Sequence, residues 1–303
     1  MISSIVRNWC EAEGEHGIFL SKLMQKYFLA VEGFVGPKSV EHMAAYHFIQ
    51  EVEKLVLSHE LNDILLSIDI FNKYRDRMGA SNGQFVAEIG RVFNYKRFTA
   101  KTSKWNAYAL CRKSKARICP YCNHAYAFTL QSENGDFRPT LDHFYFKDEY
   151  PHLALTLYNL VPSCASCNSS LKGEVDFYAE PHLNPLVDAE NIQFYLAAGD
   201  DPSVLVDAIQ SKSAEVQVKA KAIRNCSKTE SSLNTFVINE RYDMLSLEAI
   251  DFYLAKMQYE EAVSNTQFDF EFSEIISLRF DRSKHSQYLL GKMFADIYDS
   301  FSG

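Results

Sequence analysis

Two C-x-x-C pairs constrain the fold of this chain more than any other feature. They are Cys119-Pro-Tyr-Cys122 and Cys164-Ala-Ser-Cys167, separated by residues 123–163. Each pair turns the chain tightly enough to direct two thiolates at one ion, so together they supply the four sulfur ligands of a tetrahedral zinc site. Four thiolates leave no coordination position open, and we therefore expect this Zn2+ to be structural. Two disulfides or a redox-active dithiol are the alternatives; an intracellular location argues against the first and the doubled motif against the second.

The length and composition are those of an ordinary globular protein. The chain has 303 residues, of which 47% are hydrophobic and 23% charged. This length suggests two compact units and buries enough surface for folding without disulfides. Its apolar runs are shorter than the ~18 residues of a membrane span, and its first residues lack the basic start and apolar stretch of a secretory signal. We therefore expect a cytoplasmic protein without membrane contact, and we exclude a collagen-like chain, a disordered chain and a small secreted scaffold.

Positive charge is concentrated in one segment of an acidic chain. Lys and Arg number 31 against 39 Asp and Glu, a net charge of −8, yet residues 91–118 contain nine Lys or Arg residues and no acidic residue. Such a segment indicates a focused phosphate contact rather than a broad nucleic-acid surface, and the alternative is a solvated surface helix. Within it, Lys113, Lys115 and Arg117 are predicted to contact nucleic acid.

Apolar residues recur at helical spacing on both sides of the cysteine pairs. Helices are predicted at Leu20–Phe28, Ala45–Val56, Ile250–Met257 and Leu290–Tyr298, and across the basic segment up to Leu110. Loops are predicted at Gly33–Pro37 and Gly79–Gly83, where glycine and proline break the pattern.

Strand-like runs lie close to the cysteine pairs. Residues 124–145 are predicted to form a hairpin, with AYAFTL and FRPTLDHF as strands and SENGD as the turn. A short helix is expected to begin near Cys164 and end near Gly173, and QFYLAAGDDPSVLVDA, residues 193–208, suggests a second hairpin. The predicted class is therefore α+β and mostly helical. We divide the chain into a helical region 1–114, a zinc-containing core 115–185 and a mixed, mainly helical region 186–303.

The residues between and after the cysteine pairs match what phosphodiester hydrolysis requires. The attacking water needs a base with a pKa near neutrality, which suits His143. A divalent ion should neutralise charge on the phosphate, and hard oxygen donors such as Asp142 and Asn168 suit Mg2+ or Mn2+. The zinc would hold these side chains in register.

The order C-x-x-C, D-H, N-L-x-x-x-C, C-N-x-x-x-K resembles that of the zinc-stabilised HNH endonucleases over about residues 115–180. The resemblance implies a ββα-metal, treble-clef-like core. It also implies that His143 is the general base, that Asn159 braces the loop and orients that base, and that Asp142 and Asn168 are ligands of the catalytic ion. Asn168 stands where many members carry His, which makes this an HNN variant leaning towards magnesium or manganese.

A narrower resemblance extends beyond these motifs. The strings FKDEYPHLALTLYNLVPSC and LNTFVINERY are similar to segments of the PtuB-like HNH subunits of Septu-type and retron-linked anti-phage systems. This resemblance implies the nuclease effector of a bacterial defence complex, acting with an ABC/SMC-like ATPase of the PtuA type. A retron reverse transcriptase and its nucleic acid are further partners that it implies. The acidic C-terminal part would then be a protein-docking surface.

Several alternatives stay open at this point. The substrate is DNA or a structured RNA such as tRNA, because the metal site contacts only a phosphodiester. The core is otherwise a catalytically inactive nucleic-acid-binding or scaffold module of an ATPase complex. A modification-dependent restriction enzyme would need a base-flipping pocket, which the helical flanks do not suggest. Lys172 contacts a phosphate or is a solvated cation at a helix end, and His124 replaces a thiolate or lies beside the zinc pair.

Overall fold

The computed structural model describes residues 2–198, 209, 211, 216–265 and 274–300. Helices form the N-terminal and C-terminal parts of the described chain, and three two-stranded antiparallel sheets lie between them. The protein is thus mostly helical and of the α+β class, as predicted. Among the described residues, no helix combines the length and apolar character that crossing a bilayer requires.

Four helices form the first layer of the N-terminal region. They are α1 (Glu13–Glu32), α2 (Val40–Val56), α3 (Leu61–Met78) and α4 (Asn82–Val92). The rings of Phe48, Phe71 and Phe85 meet between α2, α3 and α4 with centroids 5.6–5.9 Å apart. Such aromatic packing buries large apolar area, so these helices are stabilised by one another rather than by intrinsic propensity.

The single helix predicted across the basic segment is replaced by shorter ones. After α4 the chain forms α5 (Tyr95–Thr99) and α6 (Ala107–Arg112). The side chain of Asn94 accepts a hydrogen bond from the Arg97 amide, and that of Asn106 accepts from the Tyr108 amide. Both are N-cap interactions, which begin a new helix and therefore interrupt the previous one.

The predicted hairpin at residues 124–145 is correct only at its turn. Strands β1 (Leu130–Ser132) and β2 (Gly135–Phe137) pair around a two-residue turn, while the AYAFTL run contributes little more than one isolated bridge at Tyr126. Pro139 follows and has no amide to donate, which ends the ladder. The chain then forms β3 (Thr140–His143), which pairs with β4 (Leu160–Ser163) instead.

The second predicted hairpin exists with a later return strand. Strand β5 (Ile192–Ala197) pairs with β6 (Gln217–Ala222), and Phe194 faces Ala220 in this register. The predicted return over residues 202–208 lies outside the described residues. Buried and half-buried side chains alternate along β5, as expected for a strand with one face on the core.

Five α-helices follow β6 among the residues that the structure describes. They are α7 (Ser227–Thr235), α8 (Ile238–Asp243), α9 (Ser246–Asn265), α10 (Glu274–Leu278) and α11 (Gly291–Ser300). The helices predicted from Ile250 and from Leu290 are therefore confirmed. Helix α11 packs on β5, where the Phe194 amide donates to Asp296 Oδ2 at 2.9 Å.

The three predicted regions share one hydrophobic core, which runs from Ile2 to Ile297 among the described residues. Trp9 Nε1 donates to Leu160 O at 2.8 Å and so joins the N-terminal region to β4. The Tyr242 hydroxyl donates to Cys122 O at 2.7 Å and joins α8 to the first cysteine pair. The domain boundaries given above stay predictions, since packing is continuous across them.

Candidate functional site

The four paired cysteines come together at one point. The sulfur atoms of Cys119, Cys122, Cys164 and Cys167 all lie within 4.8 Å of one another, and all four are free thiols. The Cys122 and Cys164 Sγ atoms are 3.9 Å apart. Tetrahedral zinc with bonds of about 2.3 Å places its sulfurs roughly 3.8 Å apart, so these residues fit Zn2+.

Backbone hydrogen bonds shape both cysteine pairs. In the first, the Asn123 amide donates to Cys119 O at 2.8 Å, and Asn123 has a left-handed φ of 52° that closes the turn. In the second, the chain enters a π-helical segment, Ser166–Lys172, which Gly173 ends with a φ of 50°. The predicted short helix is confirmed in position but has the wider π geometry, and its first turn points Cys167 and Asn168 to different sides.

Positive charge compensates the thiolates. Arg241 Nη1 donates to Cys167 Sγ at 3.3 Å. Hydrogen bonds from Cys119, Cys164 and Cys167 hold the pKa of Cys122 well below its usual range, which favours the ligating thiolate. His124 hydrogen-bonds to Cys122 and lies beside the cluster, whose four sulfurs already complete a tetrahedron.

Asp142 links the cysteine cluster to the neighbouring strands. It lies on β3 opposite Val161, and its carboxylate is only 2% exposed. Oδ2 accepts from the hydroxyl of Tyr121, inside the first cysteine pair, at 2.6 Å, and Oδ1 lies 3.1 Å from Lys172 Nζ. Burial, reinforced by the Asp142 charge, raises the pKa of Tyr121 well above its ordinary value, so the phenol stays a hydrogen-bond donor.

His143 is held as a neutral imidazole. Its Nε2 lies 3.0 Å from Ala154 O, and because a carbonyl only accepts, Nε2 carries the proton and Nδ1 keeps a lone pair. Burial lowers the pKa of His143 to about 3. The Tyr95 ring packs edge-on against the imidazole with centroids 4.4 Å apart. The ring is fixed and Nδ1 keeps its lone pair, but the lowered pKa makes this nitrogen a much weaker base than the near-neutral one predicted from the sequence.

Asn159 is fully buried and braces the loop that follows β3. Its Oδ1 accepts from the Tyr145 amide at 2.7 Å, and its Nδ2 donates to Tyr145 O and Leu153 O at 3.0 and 3.1 Å. Leu153 directly precedes Ala154, whose carbonyl holds His143. Asn159 therefore positions the imidazole through the loop and does not itself line the cavity described below.

Lys172 requires a correction. Its side chain is 1% exposed, its Nζ donates to His143 O at 2.8 Å, and its ammonium lies 4.8 Å from the Phe177 ring. It is not a solvated helix-end cation; it lines the cavity described below, and its contact with a phosphate stays a prediction. The ammonium is instead the interior partner of Asp142 and of the β3 backbone.

One cavity is lined by three of the residues predicted to act in catalysis. It has a volume of about 330 Å³, and Asp142, His143 and Asn168 all line it. Arg138 and Lys147 add positive charge to its wall. Sequence reasoning missed Tyr95 and Tyr121, of which only Tyr121 carried a signal, through its place inside the first cysteine pair.

The predicted nucleic-acid contacts of the basic segment lie outside this cavity. Lys113 is 4.0 Å from a Glu15 oxygen and Lys115 is 3.8 Å from a Glu11 oxygen, while Arg117 is exposed. They form part of the outer surface between α6 and the first cysteine pair.

The oxygen donors at the cavity are of the type that Mg2+ and Mn2+ prefer. Each carboxylate oxygen of Asp142 offers two lone-pair directions, so its bonds to Tyr121 and Lys172 leave acceptor capacity towards the cavity. Asn168 is half-buried and lines the same cavity. The residues fit a divalent ion, although the ammonium of Lys172 reduces the negative charge that would attract it.

Comparison with known proteins gives one partial match. No protein-family model and no solved structure matches the chain. Over 48 residues, 16% of this chain and 18% of the other, the sequence is 48% identical to Septu protein PtuB of Bacillus thuringiensis. The chain thus matches less than a fifth of the length of this curated relative. Over that short segment, the protein is similar to a Septu protein.

Proposed function

We propose that the chain is a metal-dependent HNH endonuclease that hydrolyses phosphodiester bonds of nucleic acid. The observation that carries this proposal is the convergence of Asp142, His143 and Asn168 on one cavity beside the four-cysteine cluster. A base with a free lone pair and two oxygen donors in one small cavity is the set that hydrolysis of a phosphodiester needs.

In this proposal His143 is the general base, since its neutral ring accepts a proton from water at Nδ1. Asp142 and Asn168 would hold the catalytic ion, Mg2+ or Mn2+, which would supply neutralisation of the negative charge on the scissile phosphate and the leaving oxygen. Arg138 and Lys147 attract the phosphate into the cavity. Asn159 is a positioning residue, because it fixes the loop whose carbonyl orients the imidazole.

The biological setting proposed is a bacterial anti-phage complex with an ATPase partner. The 48-residue similarity to Septu protein PtuB supports it, together with the resemblance of the flanking strings to PtuB-like subunits. The substrate class is DNA or a structured RNA such as tRNA, and Zn2+ is the structural ion.

The activity is tested with purified protein, plasmid DNA and total tRNA in Mg2+ or Mn2+, against EDTA. Replacing His143 with Ala removes the base, and loss of a general base typically slows reactions by about 10²–10⁴-fold. The exposed His47 provides a matched control, His47→Ala, which should cleave at the wild-type rate. Full cleavage by His143→Ala would disprove the assignment of the base.

A catalytically inactive zinc module that serves an ATPase is the second candidate. The observation that favours it is the engagement of both Asp142 oxygens by Tyr121 and Lys172. Under this alternative, the purified protein and its complex with the ATPase cleave neither DNA nor tRNA in either metal, and His143→Ala leaves nucleic-acid binding unchanged. Metal-dependent cleavage removes this alternative.

A further inference from the structure

A second concave surface lies on the far side of α5 from the catalytic cavity. It consists of two adjoining cavities of about 590 and 500 Å³, both lined by Phe19 of α1. Lining residues of α1 run from Glu15 to Ala30 along one helical face, a length of about 22 Å at 1.5 Å per residue. The opposite wall is the basic segment, between residues 91 and 113. We call this surface the α1 groove.

The α1 groove is strongly cationic on a chain that is acidic overall. Four exposed cations line it, two from each wall: Lys22 and Lys26 from α1, and Arg97 and Lys104 from the basic segment. Within the described ranges, no carboxylate lies within 4 Å of any of these four. Their charge is therefore available to a ligand and focused between two walls.

Three further cations line the α1 groove. Arg91 contacts Glu88, Lys113 lies 4.0 Å from Glu15, and Arg112 donates to the neutral amide of Gln131. Glu15 and Glu88 are the acidic residues that line the α1 groove, and each faces one of these cations. Two of the three charges are thus compensated, whereas Arg112 adds a positive charge that no carboxylate of the described residues opposes within 4 Å.

Aromatic side chains interleave with these cations. The half-buried Phe19 packs on the buried Phe98, with ring centroids 5.3 Å apart, and the half-buried Trp105 lies further along the groove, so Phe19 and Trp105 are the rings that a base can reach. Trp105 is oriented by its Nε1, which donates to His16 Nδ1 at 3.1 Å. Alternating cations and aromatic faces are the surface on which an unpaired nucleic-acid strand binds, with phosphates on the cations and bases on the rings.

Helix α5 separates the α1 groove from the catalytic cavity. Tyr95 and Thr99 on one face line the cavity, while Arg97 and Phe98 on the other line the groove. We propose that the α1 groove binds an unpaired strand of the nucleic acid, about six stacked nucleotides at 3.4 Å each, and delivers it across α5 to the cavity. This inference rests on the proposed function, because the bound strand is the one to be cut.

Binding is measured without added Mg2+ or Mn2+, so that metal-dependent cleavage does not occur and the structural zinc is not chelated, by fluorescence anisotropy of labelled single strands of about 12 nucleotides, twice the groove length. DNA and RNA strands are separate arms, and a duplex of the same sequence is the comparison. The Lys22→Gln/Lys26→Gln variant should bind single strands about tenfold more weakly. The slope of log affinity against log salt should fall by about 1.4, or 0.7 per lost phosphate contact.

The matched control is Lys54→Gln/Lys73→Gln, which removes the same charge from exposed positions on α2 and α3. It should bind as the wild type does. The fluorescence of Trp105 should be quenched by single strands, and Trp105→Phe should remove the quench, because Trp9 is fully buried. Equal binding by the two double variants, or tighter binding of the duplex without quenching, would overturn the proposal.

These results are independent of the nuclease assay. Cleavage that depends on His143 while Lys22→Gln/Lys26→Gln binds and cuts normally would retain the proposed function and reject the α1 groove. Strand binding at the α1 groove without any cleavage in Mg2+ or Mn2+ would retain the binding surface and reject the nuclease.

Discussion

At the scale of single residues, the pairing of Lys172 with Asp142 is the feature that most affects the proposed chemistry. Both side chains are at most 2% exposed and 3.1 Å apart. A buried charge without its partner is strongly unfavourable, so the two side chains compensate each other. A divalent ion bound by Asp142 would therefore join a site that already contains one positive charge, and its affinity is reduced accordingly.

Replacing Lys172 with Met tests whether Asp142 is a metal ligand. The variant should lose about 3–5 kcal/mol of stability in EDTA, because it leaves Asp142 buried and unpaired. Mn2+ should then raise its melting temperature more than that of the wild type, since the ion supplies the missing positive charge. Differential scanning fluorimetry across a Mn2+ titration measures both effects.

Lys256→Met is the control for this variant, because Lys256 is a buried lysine paired with Glu260 and distant from the catalytic cavity. Its melting temperature should respond to Mn2+ as the wild type does. An equal Mn2+ response in Lys172→Met and in the wild type would show that Asp142 does not bind the ion.

At the scale of elements, the two cysteine pairs and the π-helical segment form one folding unit. Cys164 Sγ lies 3.9 Å from Cys122 Sγ, and the segment that follows carries both Asn168 and Lys172. A zinc ion held by the four cysteines would contribute directly to the free energy of folding, so this unit would depend on the metal. The positions of Asn168 and Lys172 would depend on it in turn.

Replacing Cys164 with Ser opens the zinc shell. We expect the purified wild-type protein to contain about one zinc ion per chain and the variant to contain far less. We also expect the variant to lose cooperative thermal unfolding. Metal analysis and circular dichroism measure these two properties. Cys10→Ser changes an exposed thiol outside the cluster and should keep both. A fully zinc-loaded Cys164→Ser protein would mean that another ligand, such as His124, completes the shell.

The elements also show what could be predicted from sequence and what could not. The spacing of apolar side chains was sufficient to predict α2, whose buried face matches the predicted Ala45–Val56 pattern. The same spacing exists in α3, at Ile64, Ile68 and Phe71, where no helix was predicted. The pairing of β3 with β4 was not predictable locally, because it joins segments separated by the whole loop that Asn159 braces.

Some features of the candidate site were likewise predictable from the sequence, and others were not. The cysteine spacing predicted the clustering of four sulfurs, because ligand chemistry is encoded directly in residue type and separation. The environment of Lys172 was not encoded in this way, because its burial results from packing against β3 and Phe177. The same holds for Tyr95, which reaches His143 only through the short turn of α5.

At the scale of the whole molecule, buried neutral histidines make stability depend on pH. Burial lowers the pKa of His16 to about 4 and that of His152 to about 3. In the unfolded chain both titrate near 6.5, so below that pH the unfolded state binds protons that the folded state does not. The stability that these two neutral histidines contribute is therefore fully present above pH 6.5 and is lost as the pH falls towards 4.

Each histidine contributes up to about 1.4 kcal/mol per pH unit to this loss. Urea unfolding at pH 7.5, 6.0 and 5.0 measures it, and His16→Gln should show a shallower slope than the wild type. His285 acts in the opposite direction, because its hydrogen bond to Glu190 raises its pKa. The exposed His47→Gln should leave the slope unchanged, and an unchanged slope in His16→Gln would mean that His16 is protonated in the fold.

Helix α5 has only five residues, so its two faces move as one body. Phe98 lines the α1 groove, and Tyr95, three residues earlier, touches the ring of His143. A strand bound beside Arg97 in the α1 groove would therefore restrict the motion of α5 and, with it, that of Tyr95 and of the imidazole. Binding of the strand and alignment of the imidazole would then be thermodynamically coupled. Without a bound strand, the imidazole would be less restricted in its motion.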